Sequence, residues 1–137
     1  MIEETFLRSK FVIPRLAAAV ALAMATPAGA HHSGAAFDRS QSVEVHGTVE
    51  KLEWSSPHAR LYVAVKDEKG VASTWDFELP SPVTLTRRGW PKTALAIGDA
   101  VTVTGAPARD HPNIAIATGV IDAHGKRLFS GSASSTE

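Results

Sequence analysis

A mostly β domain, closed into a small five-stranded Greek-key barrel with one short helix between its third and fourth strands, is the fold class the sequence predicts. Three observations carry the prediction. Apolar and polar residues alternate in every strand-like run, the pattern of an antiparallel sheet with one wet face. The run from Val43 to His58 changes phase part-way, so the first strand must bend. A single helix signal, from Ser81 to Gly89, falls between the third and fourth runs. This order is OB-like. A plain antiparallel sandwich would alternate in a similar way; the helix position and the bent strand favour the barrel.

The first strand opens with Val43, Val45 and Val49 on one face and Glu44, His46, Thr48 and Glu50 on the other. Leu52 and Trp54 then occupy the opposite phase, which requires a bulge or sharp bend near Glu50–Lys51. Ser55-Ser56-Pro57-His58 makes a turn, because Pro57 holds its predecessor out of helical geometry. The second strand, Ala59–Lys66, points Leu61, Val63 and Val65 inward and Arg60, Tyr62, Ala64 and Lys66 outward. Asp67–Gly70 is a hairpin turn with Gly70 left-handed. The third strand, about Ala72–Leu79, points Trp75, Phe77 and Leu79 inward and leaves Thr74, Asp76 and Glu78 on the solvated side.

Ser81 suits a helix N-cap, Pro82 the first helical position and Gly89 the C-terminal cap, which predicts a helix over Pro82–Arg88 with Val83 and Leu85 toward the core. Trp90-Pro91 ends it. The fourth strand, Ala100–Gly105, turns Val101 and Val103 inward, and Ala106–Pro112 is a proline-punctuated loop. In the fifth strand, about Asn113–Ala123, Ile114, Ile116 and Val120 share a phase. Lys126–Phe129 makes a short additional strand at most.

The bulk numbers suit one domain. The chain has 137 residues, 14 basic and 14 acidic, and no cysteine. Without cysteine there is no disulfide, no thiolate metal site, no thiol nucleophile and no lipidated cysteine anchor. Without a basic excess there is nothing for a phosphate backbone to exploit.

Residues 1–30 have the layout of a cleaved secretory signal. Arg8, Lys10 and Arg15 make a positive start, Leu16 to Ala25 an apolar middle, Pro27 a helix breaker, and Ala28-Gly29-Ala30 a small-x-small cleavage pattern. The apolar run is about half the ~20 residues of a spanning helix, so no stable membrane anchor is expected after cleavage. A cut after Ala25 also satisfies the small-residue pattern; a cut after Ala30 leaves the helix breaker between the apolar run and the scissile bond. The remaining chain carries 11 basic and 12 acidic residues, retains all six histidines, and begins at His31. Residues 31–42 then form a flexible arm, 43–129 the barrel, and 130–137 a disordered tail.

Six phrases carry a resemblance over nearly the whole mature chain. They are His31-His32-Ser33; Phe37 to Ser40; Gly47 to Glu50; Trp54 with Ser56-Pro57-His58-Ala59; Arg87-Arg88-Gly89-Trp90; and Val101 to Gly105. Together they resemble the small secreted bacterial proteins of domain-of-unknown-function family 6152, whose Asn-Pro-His turn reads Ser56-Pro57-His58 here. The resemblance implies an exported single-domain protein and, since the family has no established activity, no mechanism.

Four constellations are candidates for chemistry. A free α-amine and the imidazole of His31 would chelate one metal ion, and His32 would add a second imidazole. Nitrogen-rich ligation favours Cu(II), with Ni(II) and Zn(II) behind. A third ligand must come from the domain, His58 or His111 in loops before His46 on a strand. Otherwise the two histidines merely follow a cleavage site. At Ser56-Pro57-His58, His58 is either a ligand at the barrel mouth or an imidazole capping local backbone.

Trp54, Trp75 and Trp90 form the third set. Trp75 belongs to the core by phase, whereas Trp90 beside Arg87 and Arg88 is either an exposed contact or a lid over the barrel end. Asp110-His111 in the proline loop is a local pair. Single-stranded nucleic acid is not expected as a partner, because Tyr62 is the only aromatic among outward residues of mixed charge. No nucleophile elbow, phosphate loop or zinc-protease motif occurs. The sequence therefore predicts an exported periplasmic monomer that binds rather than catalyses. Its leading ligand is Cu(II) at His31 and His32 with His58 or His111. The alternative is an envelope protein or small ligand gripped by Trp54, His58 and Arg109 at the barrel mouth, or by the corner of Arg87, Arg88 and Trp90.

Overall fold

The computed structural model describes residues 36–131. Six strands form one sheet: β1 (Val43–Glu53), β2 (Arg60–Lys66), β3 (Ala72–Glu78), β4 (Ala100–Pro107), β5 (Ile114–Asp122) and β6 (Arg127–Ser130). A helix, α1 (Pro82–Arg87), and a 3-10 turn over Lys92–Ala94 lie between β3 and β4. The spatial order is β3-β2-β1-β4-β5-β6, and β3 also pairs in parallel with β5. That last pairing closes the first five strands into a barrel, with β6 added along β5.

β1 bends as its sequence requires. Its first half, Val43–Thr48, pairs with β4, and its second half, Thr48–Glu53, pairs with β2. Val49 faces Val63 but Lys51 already faces Tyr62, so Glu50 is the inserted residue that turns the apolar phase over. Val45, Val49, Leu61, Val63, Phe77, Leu79, Val101 and Val103 are buried in one core, as alternation predicts. Close approach at Gly47 permits the bend: a Cβ there would lie 2.7 Å from Val63 Cγ1 and closer still to the Ala64 carbonyl oxygen.

The turn and cap chemistry also holds. Asp67 Oδ1 accepts from the amides of Lys69 and Val71 at 2.9 and 2.8 Å, and Gly70 adopts φ 77°. Ser81 Oγ accepts from the Thr84 amide at 3.3 Å, and Gly89 adopts φ 86°. α1 buries Leu85 but leaves Val83 55% exposed, so the helix rests on one side chain rather than two.

β5 departs from its simple phase. Gly105 faces Ala117 while Thr104 faces Gly119, so Thr118 is an inserted residue. Ala115 and Ala117 therefore share the barrel core with Val120, and Ile114 and Ile116 turn to the other side. There they meet Phe37, which is 4% exposed and forms a small second apolar cluster with Ala106 and Ile116. The described part of the N-terminal arm is thus a packed strap, not a free one. Phe37 bridges Ala108 in antiparallel fashion, the Asp38 amide donates to the Pro107 carbonyl at 2.8 Å, and the Arg109 amide donates to the Ala36 carbonyl at 3.0 Å. β4 accordingly runs to Pro107, beyond its predicted end at Gly105. At the other terminus Ser130 belongs to β6 opposite Gly119, so the ordered barrel extends one residue into the predicted tail. No helix among the described residues is long and apolar enough to cross a membrane.

Candidate functional site

The seam where β3 meets β5 gathers the charged groups that alternation assigns to solvent. Asp76, Phe77 and Glu78 pair with Ile114, Ala115 and Ile116. The strap and the β4–β5 connection cover this outer face, and Glu78 is only 2% exposed, a correction to the solvated side predicted for it. An ionised carboxylate withdrawn from water needs partners. Glu78 takes one from the β1–β2 turn: His58 Nδ1 lies 2.7 Å from Glu78 Oε1. A carboxylate oxygen accepts only, so Nδ1 is assigned the hydrogen and donates; in the neutral ring the lone pair is then on Nε2. The imidazole thus grips a buried side chain from another strand rather than capping its own turn. Its side chain remains about one-third exposed, at 32%.

Arg60 sits directly opposite Glu78 in the β2–β3 register but closes on Asp76. Nε donates to Oδ1 at 2.9 Å and Nη2 to Oδ2 at 2.6 Å, a two-pronged arrangement with fixed geometry. The Asp76 hydrogen bond, reinforced by the charges of Asp76 and Glu78, holds the Arg60 guanidinium above its ordinary pKa against the opposing effect of burial.

Next to these groups is a cavity of about 190 Å³. Ala36, Phe37, Ala108 and Ile114 give it apolar walls; Arg60, Glu78, Asp110 and His111 supply its polar groups. Glu78 therefore links the two predicted domain histidines, bonded to His58 and sharing a cavity with His111. Asp110 and His111 are exposed at the rim. Among the described residues no group of three or more His, Cys, Asp or Glu side chains is poised to hold a metal ion. His31 and His32 lie outside the described residues.

The other predicted contacts divide. Trp90 is fully buried, which corrects its reading as an exposed contact. Its ring lies 6.4 Å from that of Trp54 and 6.5 Å from that of Phe129, closing the core as a lid. Arg88 sits over Phe129, 5.8 Å from the ring centre, whereas Arg87 lines a shallow depression with Trp54, Pro82, Val83 and Thr86. Arg87, Arg88 and Trp90 thus do not form one gripping corner. Of Trp54, His58 and Arg109, the first packs on Trp90, the second bonds Glu78, and Arg109 Nη2 reaches to Asp38 Oδ1 at 3.5 Å in the strap. His46 is tied on the surface between Glu44 and Thr102, each at 2.9 Å. The residues missed from sequence are Glu78, Arg60 and Phe37. A signal for them exists: Ile114-Ala115-Ile116-Ala117 is apolar on both faces, which requires a cover on each, and Phe37 is the one large apolar residue in the preceding arm.

A family model described as a family of unknown function (DUF6152) matches residues 19–117. The chain belongs to this family. The matched span takes in the strap, β1 through β4, the start of β5 as far as Ala117, and every group around the cavity; β6 lies beyond it. No curated protein and no solved structure matches the chain.

Proposed function

We propose that this member of the family is an exported, non-catalytic periplasmic module that holds Cu(II) between its mature N-terminus and the barrel. The observation that carries the reading is the His58–Glu78 pair. Metal-ligating histidines characteristically donate their second ring nitrogen to a carboxylate, which sets the tautomer and steadies the ring. His58 has that arrangement, and Nε2 is the nitrogen left to ligate. His111, exposed and without a carboxylate grip among the described residues, is the weaker choice.

The strap supports the reading from the other side. His31 is five residue steps from Ala36, and an extended chain covers at most about 3.3–3.6 Å per residue, so His31 is tethered within about 18 Å of the cavity wall. The α-amine and imidazole of His31, the imidazole of His32 and Nε2 of His58 make an all-nitrogen set suited to Cu(II). All four must be deprotonated, so affinity falls as the medium becomes acidic.

The test is Cu(II) titration of the protein purified after export, its N-terminus established by intact mass. One equivalent should bind with a d–d absorption band and nitrogen hyperfine structure in the electron spin resonance spectrum. His58→Ala should weaken binding at least tenfold, and so should one alanine added before His31. Retention of the leader in the exported protein, or equal binding by the alanine-extended form, would dispose of the proposal.

A second reading rests on the depression beside α1, where Val83 stands exposed next to Trp54 and Arg87. There the module would grip an envelope protein, with no metal. Val83→Glu should then abolish association while leaving Cu(II) titration unchanged; undiminished association counts against it.

A further inference from the structure

We infer that the cavity between the strap and the β3–β5 seam is a binding site for a small amphiphilic organic cation, an alkyl- or arylammonium of about six to nine non-hydrogen atoms. The inference does not depend on the metal reading, since it uses only groups within residues 36–131.

Size comes first. A cavity of about 150 Å³ takes a benzene ring, and this one is about 190 Å³. It has room for a ring or short chain and one polar head. The walls then divide the ligand into two parts. Phe37, Ile114, Ala36 and Ala108 are matched by hydrocarbon, because water against them is released on binding. The polar end faces Glu78, Asp110 and Arg60.

Charge decides which head group fits. Arg60 has Nε and Nη2 committed to Asp76. In the cavity lining itself, histidines apart, Glu78 and Asp110 stand with Arg60, whose charge is matched by Asp76, as Arg109 beside the lining is paired with Asp38. A carboxylate or phosphate ligand would have to lie against the buried Glu78 and is disfavoured by like charge. A neutral hydroxyl gains one ordinary hydrogen bond. An ammonium gains a charge-assisted one, roughly twice as strong, in a site where apolar walls keep screening low. Glu78 has acceptor capacity for it, since the His58 bond occupies one of about four lone-pair directions on an ionised carboxylate. Asp110 at the exposed rim adds an attractive field at the entrance.

The experiment uses the protein purified after export, held metal-free in excess chelator near pH 7.5. Benzylammonium, benzyl alcohol and benzoate, similar in size and different in charge, are titrated while amide spectra are recorded. Benzylammonium should bind saturably, with a dissociation constant in about the millimolar range expected for so few atoms, and should shift the amides of Phe37, Glu78, Ala108 and Ile114. It should bind at least tenfold more tightly than benzyl alcohol, and benzoate should not bind. Glu78→Gln should bring benzylammonium down to the alcohol's level without changing the alcohol. Asp110→Asn, on the exposed rim where folding is not at stake, should weaken benzylammonium about threefold and leave the alcohol alone. Equal affinity for alcohol and ammonium, preference for benzoate, shifts mapping elsewhere, or no saturable shift would each overturn the inference. Because no metal is present, failure here leaves the Cu(II) reading standing, and the reverse is equally true.

Discussion

Arg60 and Glu78 face each other across the β2–β3 ladder, yet the guanidinium gives its two-pronged bond to Asp76 and leaves Glu78 to His58. The turn between β1 and β2 is thereby fastened to the end of β3 by one charged hydrogen bond. Hydrogen bonds to charged groups contribute about 1.5–3 kcal/mol. A double-mutant cycle of His58→Ala and Glu78→Gln, read by urea unfolding, should return a coupling energy in about that range. Additive costs would mean that the two side chains are neighbours without being partners.

Trp90 should behave as core, not as contact surface. Truncating a buried Trp costs about 3–5 kcal/mol, so Trp90→Ala should lower the midpoint of thermal unfolding by well over 10 °C in a domain of this size. Trp90→Phe should cost distinctly less than that truncation. The indole Nε1 is buried with no hydrogen-bond partner among the described residues, so removing it relieves an uncompensated desolvation. Equal destabilisation by Phe and Ala would show that the ring does not act as packed core.

The strap should loosen in acid. Hydrogen bonds from the Ser40 hydroxyl and then from its amide, with the Arg109 charge and the Gln41 side chain adding, hold the Asp38 carboxyl below its ordinary pKa. A depressed carboxylate contributes stability that is present above the unfolded-state pKa, near 4, and is lost as pH falls through the lower folded value. Amide exchange at Phe37, Asp38 and Ser40 should therefore accelerate below about pH 4, relative to the barrel strands. Asp38→Asn should remove that dependence; an unchanged acid profile in the variant would refute the assignment.

Tyr62 offers a clean alkaline probe, since it is the only tyrosine in the chain. Burial first, then the charges of Asp76 and Glu53, pushes its phenol above the usual value near 10. A raised pKa contributes stability that is complete below the unfolded value and disappears as pH rises through the folded one. Phenolate absorbance should titrate above pH 10 in the native protein and return to the ordinary midpoint in concentrated urea. A native midpoint at or below that of the unfolded chain would contradict the geometry at Glu53 and Asp76.

Local rules read most of the barrel correctly because its signals are local. The phase flip after Val49 needs one inserted residue, and Glu50 is that residue; Ser81 and Gly89 bound the helix through short-range cap chemistry. The candidate site was harder to read because its determinants are long-range. Alternation sends Glu78 outward correctly, but only the strap and the β4–β5 connection, distant in sequence, decide that outward here means buried. The same cover explains β5, where the inserted Thr118 exchanges the faces of Ile116 and Ala117. Sequence leaves Trp90 as either an exposed contact or a lid over the barrel end, and the ring contacts with Trp54 and Phe129 decide for the lid.

The parallel contact of β3 with β5 spans just three residue pairs, and Asp76 and Glu78 sit on it. A pairing this short, between segments well separated in the chain, has few contacts to set against its loop-closure cost and tends to form late. The cavity is therefore assembled only when the ring of strands is complete, and any molecule it accepts works as a clasp on the weakest join. Occupancy and barrel integrity are then two readings of one equilibrium: a ligand that fits should slow opening of that join before it changes anything else in the molecule.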